Sequence, residues 1–246
     1  MGKRERLDKL LVDRGLAASR DEGRRRILAG EVLVNHQPAG KAGSLIDPDA
    51  LIQLKGKPLP YVSRGGVKLE KALEEFQIDV LDKVVLDVGA STGGFTDCLL
   101  ARGALKVYAV DVGYGQLHWK LRNDPRVVVL ERRNIRYLEP EVLPVPPQIA
   151  TIDASFISLR LVFPQVKKLL APSGAIVALI KPQFEVGKGK VGKGGVVRQP
   201  EEHLRVIQEI QESAQALGLK VRGVTESPLL GPKGNREFFI HLLKEA

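Results

Sequence analysis

The sequence predicts an α/β fold, a mostly parallel sheet covered by helices on both faces, with a small α+β module ahead of it. Three observations carry this. From residue 84 onward, short apolar runs alternate with amphipathic segments bounded by Gly and Pro, as βα units require. Two of those runs, Val84–Val88 and Ala175–Ile180, are almost continuously apolar, as strands buried on both faces must be. Residues Arg6 to Lys55 follow a different pattern, and Lys55-Gly56-Lys57-Pro58-Leu59-Pro60 reads as a linker. The expected domains are therefore 1–58 and 59–246, joined through residues 55–63.

In the first module Leu7, Leu10 and Leu11 fall at helical spacing, and Gly15 is placed to end that helix in a left-handed cap. Ser19-Arg20-Asp21-Glu22 fits a capping box opening a second helix, which Gly30 ends. Val32–Asn35 and Leu51–Leu54 read as short strands, separated by Pro38, Gly40, Gly43 and Pro48. In the larger domain the expected strands are Val84–Val88, Lys106–Asp111, Val127–Leu130, Ile149–Asp153, Ala175–Ile180, Lys220–Glu226 and Glu237–Leu242. Helices are expected over Phe95–Arg102, closed by Gly103, and over Glu201–Leu217, opened by Pro200 and closed by Gly218. A helix around Leu159–Leu170 must start or kink at Pro164.

Composition narrows the function classes. Hydrophobic residues are 43% and charged residues 27% of the 246, a globular balance with material for a sizeable core. Lys and Arg number 38 against 29 Asp and Glu, a formal net charge of +9. That favours a polyanionic partner, nucleic acid or an anionic membrane. The single Cys98 excludes an internal disulfide and a cysteine metal cluster, and fits a reducing cytoplasm. The opening MGKRERLDKLL has neither an apolar signal region nor a myristoylation pattern, and no apolar stretch is long enough to span a bilayer. A soluble cytoplasmic protein without a metal is expected.

The glycine-rich loop Asp87-Val88-Gly89-Ala90-Ser91-Thr92-Gly93-Gly94-Phe95 falls between the first strand and helix of the larger domain. There the backbone can approach a ligand closely, at the carboxyl edge of the sheet. Its spacing is not the G-x-G-x-x-G of a dinucleotide site, which counts against a nicotinamide oxidoreductase. Asp87, ending strand one, suits a cationic amino-acid group of a ligand, and Asp111, ending strand two, suits a ribose. Asn134, past strand three, is placed to line an adenine pocket.

Four further residues are expected at the same edge. Asp153 ends strand four, Lys181 ends strand five, and Glu237 opens a last strand that shares that edge if it runs antiparallel. Lys68 begins the helix leading into strand one. Two lysines and two carboxylates in proximity can tune one ammonium toward a usable base, which a poorly nucleophilic hydroxyl requires.

These motifs carry a resemblance. Ser63-Arg64-Gly65-Gly66-Val67-Lys68-Leu69, the DVGASTGGF loop, Ile152-Asp153, Ile180-Lys181-Pro182 and Arg236-Glu237-Phe238 resemble the FtsJ-type ribose 2′-O-methyltransferases with their Lys-Asp-Lys-Glu tetrad. The N-terminal R-L-D-x-x-L-V…S-R…G-x-V-x-V-N run resembles the S4-like RNA-binding domain, with His36 where that pattern has Gly. In this order, over essentially the whole chain, they resemble the TlyA family, whose members methylate cytidine 2′-hydroxyls of ribosomal RNA and are often labelled hemolysins. The resemblance implies a Rossmann-like class I methyltransferase sheet of seven strands, the last antiparallel, behind an α+β S4-like RNA-binding domain. It implies S-adenosylmethionine as cofactor and ribosomal RNA or ribosomal subunits as partner. It makes Lys181 the base, tuned by Asp153 and Glu237, with Lys68 holding substrate. It places Gly93, Phe95, Asp111 and Asn134 in the cofactor pocket, where Asp87, Gly89, Ser91, Gly94 and Asp153 are expected as well. The rival chemistries fit less well: Asp153-Ala154-Ser155-Phe156 replaces the N/D-P-P-Y/F motif of amino-group methylation, and Cys98 falls on a helix away from the cleft. A non-catalytic RNA-binding assembly factor and a hemolysin remain the alternative readings.

For RNA, Lys3, Arg4, Arg6, Lys9, Arg20, Arg24, Arg25 and Arg26 crowd onto the two helices of the first module, where cationic faces can track a phosphate backbone. Lys188, Lys190, Lys193 and Arg198 form a Gly/Lys loop after the Lys181 strand, suited to a basic lid over substrate. Aromatic residues are only 5%, so stacking of bases on an aromatic platform is not the expected mode.

Overall fold

The computed structural model describes residues 4–17, 19–55, 59–187, 191–192 and 194–245. The chain divides into two compact units, Met1–Leu59 and Pro60–Ala246.

In the first unit, β1 (Glu5–Arg6) leads directly into α1 (Leu7–Asp13), followed by α2 (Arg20–Leu28), β2 (Val32–Val34), β3 (Gln37–Pro38), β4 (Leu45–Ile46) and β5 (Ile52–Leu54). Ser19 caps α2 as expected, its Oγ accepting the Glu22 N–H at 3.2 Å. Leu7, Leu10 and Leu11 of α1 bury against Ala17, Ile27, Val32 and Ile52. β2 lies between β3 and β5 in a three-stranded antiparallel sheet, and β1 pairs with β4. Asn35 and His36 form the two-residue β2–β3 turn with φ of 49° and 65°. His36 thus takes the left-handed conformation that glycine adopts more cheaply, and the register of the hairpin is kept.

The second unit begins with α3 (Arg64–Glu75). It continues through β6 (Val84–Val88), α4 (Gly94–Ala101), β7 (Lys106–Val110), α5 (Trp119–Arg122), β8 (Val127–Leu130) and β9 (Ile149–Ile152). It ends with α6 (Phe163–Leu169), β10 (Ala175–Ile180), α7 (Pro182–Glu185), α8 (Pro200–Ala216), β11 (Leu219–Glu226) and β12 (Phe238–Lys244). The seven strands form one sheet in the order β11-β12-β10-β9-β6-β7-β8, with β12 antiparallel to both neighbours and the other pairings parallel.

Alternate residues of β6 serve opposite layers. Val84, Leu86 and Val88 pack with Phe163 and Val166 of α6 and with Val206 and Ile210 of α8. Val85 packs with Leu69 and Leu73 of α3 and with Cys98 and Leu99 of α4. The helix expected over 159–170 is divided: a 3-10 turn, Leu159–Leu161, precedes α6. Pro164 lies in the first turn of α6, where its missing N–H costs no helical hydrogen bond. No helix among the described residues is long and apolar enough to cross a membrane.

Candidate active site

β6 delivers the chain into the glycine-rich loop at the carboxyl edge of the sheet. Gly89 has φ of +81°, and a Cβ there would lie 2.8 Å from the Asp153 carbonyl oxygen, so the turn needs glycine twice over. The Gly89 and Ala90 N–H groups both donate to the Val110 carbonyl, at 2.9 and 3.2 Å. Ser91 donates its N–H to Asp111 Oδ2 at 2.8 Å, while Asp111 Oδ1 accepts from Gly113 N–H at 2.7 Å. Asp111 therefore clamps two loops together and keeps further lone-pair directions for a ligand.

Beside this loop lies a cavity of about 920 Å³, within the size range of small-molecule and cofactor sites. Of the residues expected at the cofactor, Gly89, Ser91, Asp111, Asn134 and Asp153 line it. The Asn134 Oδ1 also caps a 3-10 turn by accepting the Arg136 N–H at 3.1 Å. Asp87, Gly93, Gly94 and Phe95 stand behind that lining, on the side of the loop that faces the helices. Phe95 is buried against Phe239, ring centroids 6.1 Å apart. Gly93 caps α4, and a Cβ there would collide with Leu121 Cδ1 at 2.2 Å. Gly94 abuts Ser63, whose Oγ lies 2.1 Å from where a Cβ would be. These three shape the loop from behind.

Asp87 is wholly buried; its Oδ2 accepts from the Thr96 hydroxyl at 2.6 Å and its Oδ1 from the Thr151 hydroxyl at 3.1 Å. Burial pushes its carboxyl up to about 7, against the two threonine hydrogen bonds. It braces β6, β9 and α4 against one another.

The four expected catalytic residues arrive at one edge as two ion pairs. Lys68 Nζ and Glu237 Oε2 are 2.7 Å apart, and both side chains are buried. Lys181 Nζ lies 2.7 Å from Asp153 Oδ1 and donates to Ser155 Oγ at 2.7 Å. Ile180 pairs with Phe238 across β10 and β12, so Lys181 and Glu237 leave adjacent strand ends. Each lysine has its own carboxylate partner. Gly231 makes room for Glu237: a Cβ at position 231 would sit 1.9 Å from Glu237 Oε1. That oxygen is buried and accepts no hydrogen bond from any of the described residues. Cys98 is buried, and burial raises its thiol to about 12, which removes it as a nucleophile.

Several site residues escaped the sequence reading. Ser155 holds Lys181 directly. Phe156 is 90% exposed with φ of 64°, its ring centroid 5.0 Å from that of Phe184, and both rings line the cavity. A bulky residue held in the left-handed region at a pocket rim is a strained, functional type of placement. The low aromatic count hid it, although it directly follows Asp153-Ala154-Ser155. Glu185 accepts from Ser158 Oγ at 2.6 Å and from Leu159 N–H at 2.8 Å, fixing the far end of the same segment, and burial raises its carboxyl.

In the first unit, Arg6, Arg20 and Arg24 converge on Asp8. Lys9 pairs with Glu5 at 2.6 Å and Asp13 at 3.7 Å, Arg26 pairs with Glu22 at 2.7 Å, and Arg4 and Arg25 are exposed. Lys3, Lys188, Lys190 and Lys193 lie outside the described residues. Among the described residues no group of three or more His, Cys, Asp or Glu side chains is placed to hold a metal.

Comparison with known proteins gives a consistent pattern. The FtsJ-like methyltransferase family matches residues 61–244 and the S4 domain family residues 5–52. The chain is 53% identical to YqxC of Bacillus subtilis, named as an rRNA methyltransferase, over 98% of this chain and 86% of that one. It is 49% identical to the 16S/23S rRNA (cytidine-2′-O)-methyltransferase TlyA of Mycobacterium tuberculosis, over 98% of this chain and 91% of that one. A solved structure from Streptococcus thermophilus, labelled a hemolysin, shares 46% identity with a TM-score of 0.79, covering 99% of this chain and 89% of that one.

Proposed function

The chain belongs to the FtsJ-like methyltransferase family and carries an S4 domain, and from that premise we propose that it methylates a ribose 2′-hydroxyl, that of a cytidine, in ribosomal RNA, in the cytoplasm. The observation that carries this is the pair of lysine–carboxylate contacts, Lys68–Glu237 and Lys181–Asp153, at one edge of the sheet, with Asp153 itself lining the glycine-loop cavity. The pattern of donors and space fits S-adenosylmethionine, which when bound supplies an electrophilic methyl group. Gly89 lets the loop pack directly against the Asp153 backbone, and the carboxylate of Asp111 and the amide of Asn134 line the cavity, suited to a ribose and an adenine.

Lys181 is the general base in this reading. The hydroxyl of Ser155 suits that role, because it accepts from an ammonium and donates to a neutral amine alike. Asp153 orients the amine from 2.7 Å. Lys68, held by Glu237, keeps a fixed positive charge at the same edge and positions the substrate. Phe156 and Phe184 offer an apolar face on which a base lifted out of its stack can rest beside the reacting ribose. The first unit supplies phosphate contacts through its arginines.

The test is incubation with methyl-labelled cofactor and unmodified ribosomal subunits. Label is expected on ribose, where a 2′-O-methyl group makes the adjoining linkage resistant to alkali. Label confined to a base, or no incorporation into either subunit, overturns the proposal.

A further inference from the structure

Asp8 is a carboxylate with no exposed side-chain surface, ringed by three arginines that are each about half exposed. It stands in the first turn of α1, with its own N–H donating to the Ala42 carbonyl at 3.1 Å. Arg6 grips it as a fork, Nε to Oδ1 at 2.9 Å and Nη2 to Oδ2 at 2.8 Å. Arg20 and Arg24, one turn apart on α2, reach it from the other side at 3.3 Å each. Gly23 lets the two helices approach closely, since a Cβ there would lie 3.3 Å from the Asp8 carbonyl oxygen. The hydrogen bond from Arg6, then those from Arg24 and Arg20, hold the Asp8 carboxyl far below the usual carboxylate range, against the effect of burial.

We propose that Asp8 is a positioning residue that gathers Arg6, Arg20 and Arg24 into one clamp for a single phosphate group of folded RNA. The proposal rests on the RNA-binding reading of this unit and names the contact that does the binding. The fork of Arg6 already supplies two short, charge-assisted hydrogen bonds to the carboxylate. The longer contacts of Arg20 and Arg24 make a weaker anchor but fix where their guanidinia stand. Three positive groups then face one buried acid and the exposed Asp21, 3.4 Å from Arg24, so the cluster keeps a net positive charge. Guanidinia held in place lose less freedom when they take a phosphate, which they match in geometry.

A diffuse-charge account and the clamp predict opposite signs for Asp8→Asn. Removing a negative charge should tighten binding if only net charge matters. The clamp predicts weaker binding by about tenfold, the order of one lost charge-assisted contact. It also predicts a salt dependence shallower by about one unit of log K against log salt. The measurement uses the full chain with unmodified ribosomal subunits across a salt series, with amide exchange of residues 7–28 reporting whether α1 and α2 stay folded. Arg20→Lys keeps the charge, removes the planar guanidinium that matches a phosphate, and serves if Asp8→Asn unfolds the unit; it too should bind more weakly. In methylation both variants should raise KM for subunits and leave kcat unchanged. Equal or tighter binding by folded Asp8→Asn, or unchanged binding by Arg20→Lys, overturns the clamp while the RNA-binding reading stands. Failure of the unaltered chain to bind subunits overturns both.

Discussion

Replacing Asp87 with asparagine should stabilise the second unit at pH 8 and leave it nearly unchanged at pH 4. The carboxyl is wholly buried and its folded-state value is raised to about 7 from the ordinary 3.8. The folded chain therefore keeps a proton that the unfolded chain releases. Relative to this group, stability is fully present below about pH 4, declines as pH rises toward 7, and levels off above it. At ~1.36 kcal/mol per pH unit, the gap between 3.8 and about 7 corresponds to roughly 4 kcal/mol. Against the 5–15 kcal/mol typical of a whole domain that is a large share. Asparagine keeps the shape, can accept from Thr96 and donate to Thr151, and carries no charge to bury. Urea unfolding followed by circular dichroism, for both proteins at half-unit steps from pH 4 to 8, reads the difference. Contributions of other groups, such as His241 and Glu185, cancel in the comparison. Parallel stability curves across that window would show that Asp87 is not protonated in the folded chain, and the burial argument for its raised value would fail.

The other predictions concern the reacting edge. Lys181→Arg keeps the charge but cannot take a proton, because guanidinium stays protonated, so single-turnover methylation should fall roughly 10²–10⁴-fold with cofactor affinity little changed; near-normal turnover would end the general-base assignment. Lys68→Arg should retain measurable turnover in the same assay, since that residue is asked only for position and charge. Gly231→Ala places a methyl 1.9 Å from Glu237 Oε1 and 2.5 Å from its Cδ, and the buried carboxylate must leave Lys68; turnover should drop about tenfold with the fold intact, the overpacking costing about 1–3 kcal/mol. Phe156→Ala removes a stacking face worth roughly 1–3 kcal/mol per base, so kcat/KM for subunits should fall about tenfold or more while cofactor affinity measured by calorimetry holds.

How far the sequence exposes this site turns on where each residue stands relative to the pleat. The long apolar strands were legible because burial on both faces leaves no other composition for Val84–Val88 or Ala175–Ile180. Two-residue strands such as Glu5–Arg6, Gln37–Pro38 and Leu45–Ile46 show no period at all, and only their partners define them. Asp87, Asp111 and Asp153 look alike in sequence, each closing an apolar run, yet the structure divides them. Asp111 and Asp153 stand one residue past β7 and β9, where the chain has left the sheet and a side chain can turn into the cleft. Asp87 is still inside β6, so the alternation of the strand decides its direction. It shares the face of Val85, the face covered by α3 and α4, and meets Thr96 there. Parity along β6 therefore contains that direction, whereas nothing local reveals Phe156. Its exposure depends on a left-handed backbone fixed from outside, by Lys181 on Ser155 and by Glu185 on Ser158 and Leu159. The same lysine that is asked to move a proton thus also helps set the segment that presents the aromatic face, so a change at position 181 acts on both the chemistry and the placement of the base. Lys181→Arg and Phe156→Ala should accordingly fail to add in a double-mutant cycle of kcat/KM, as residues sharing a partner do.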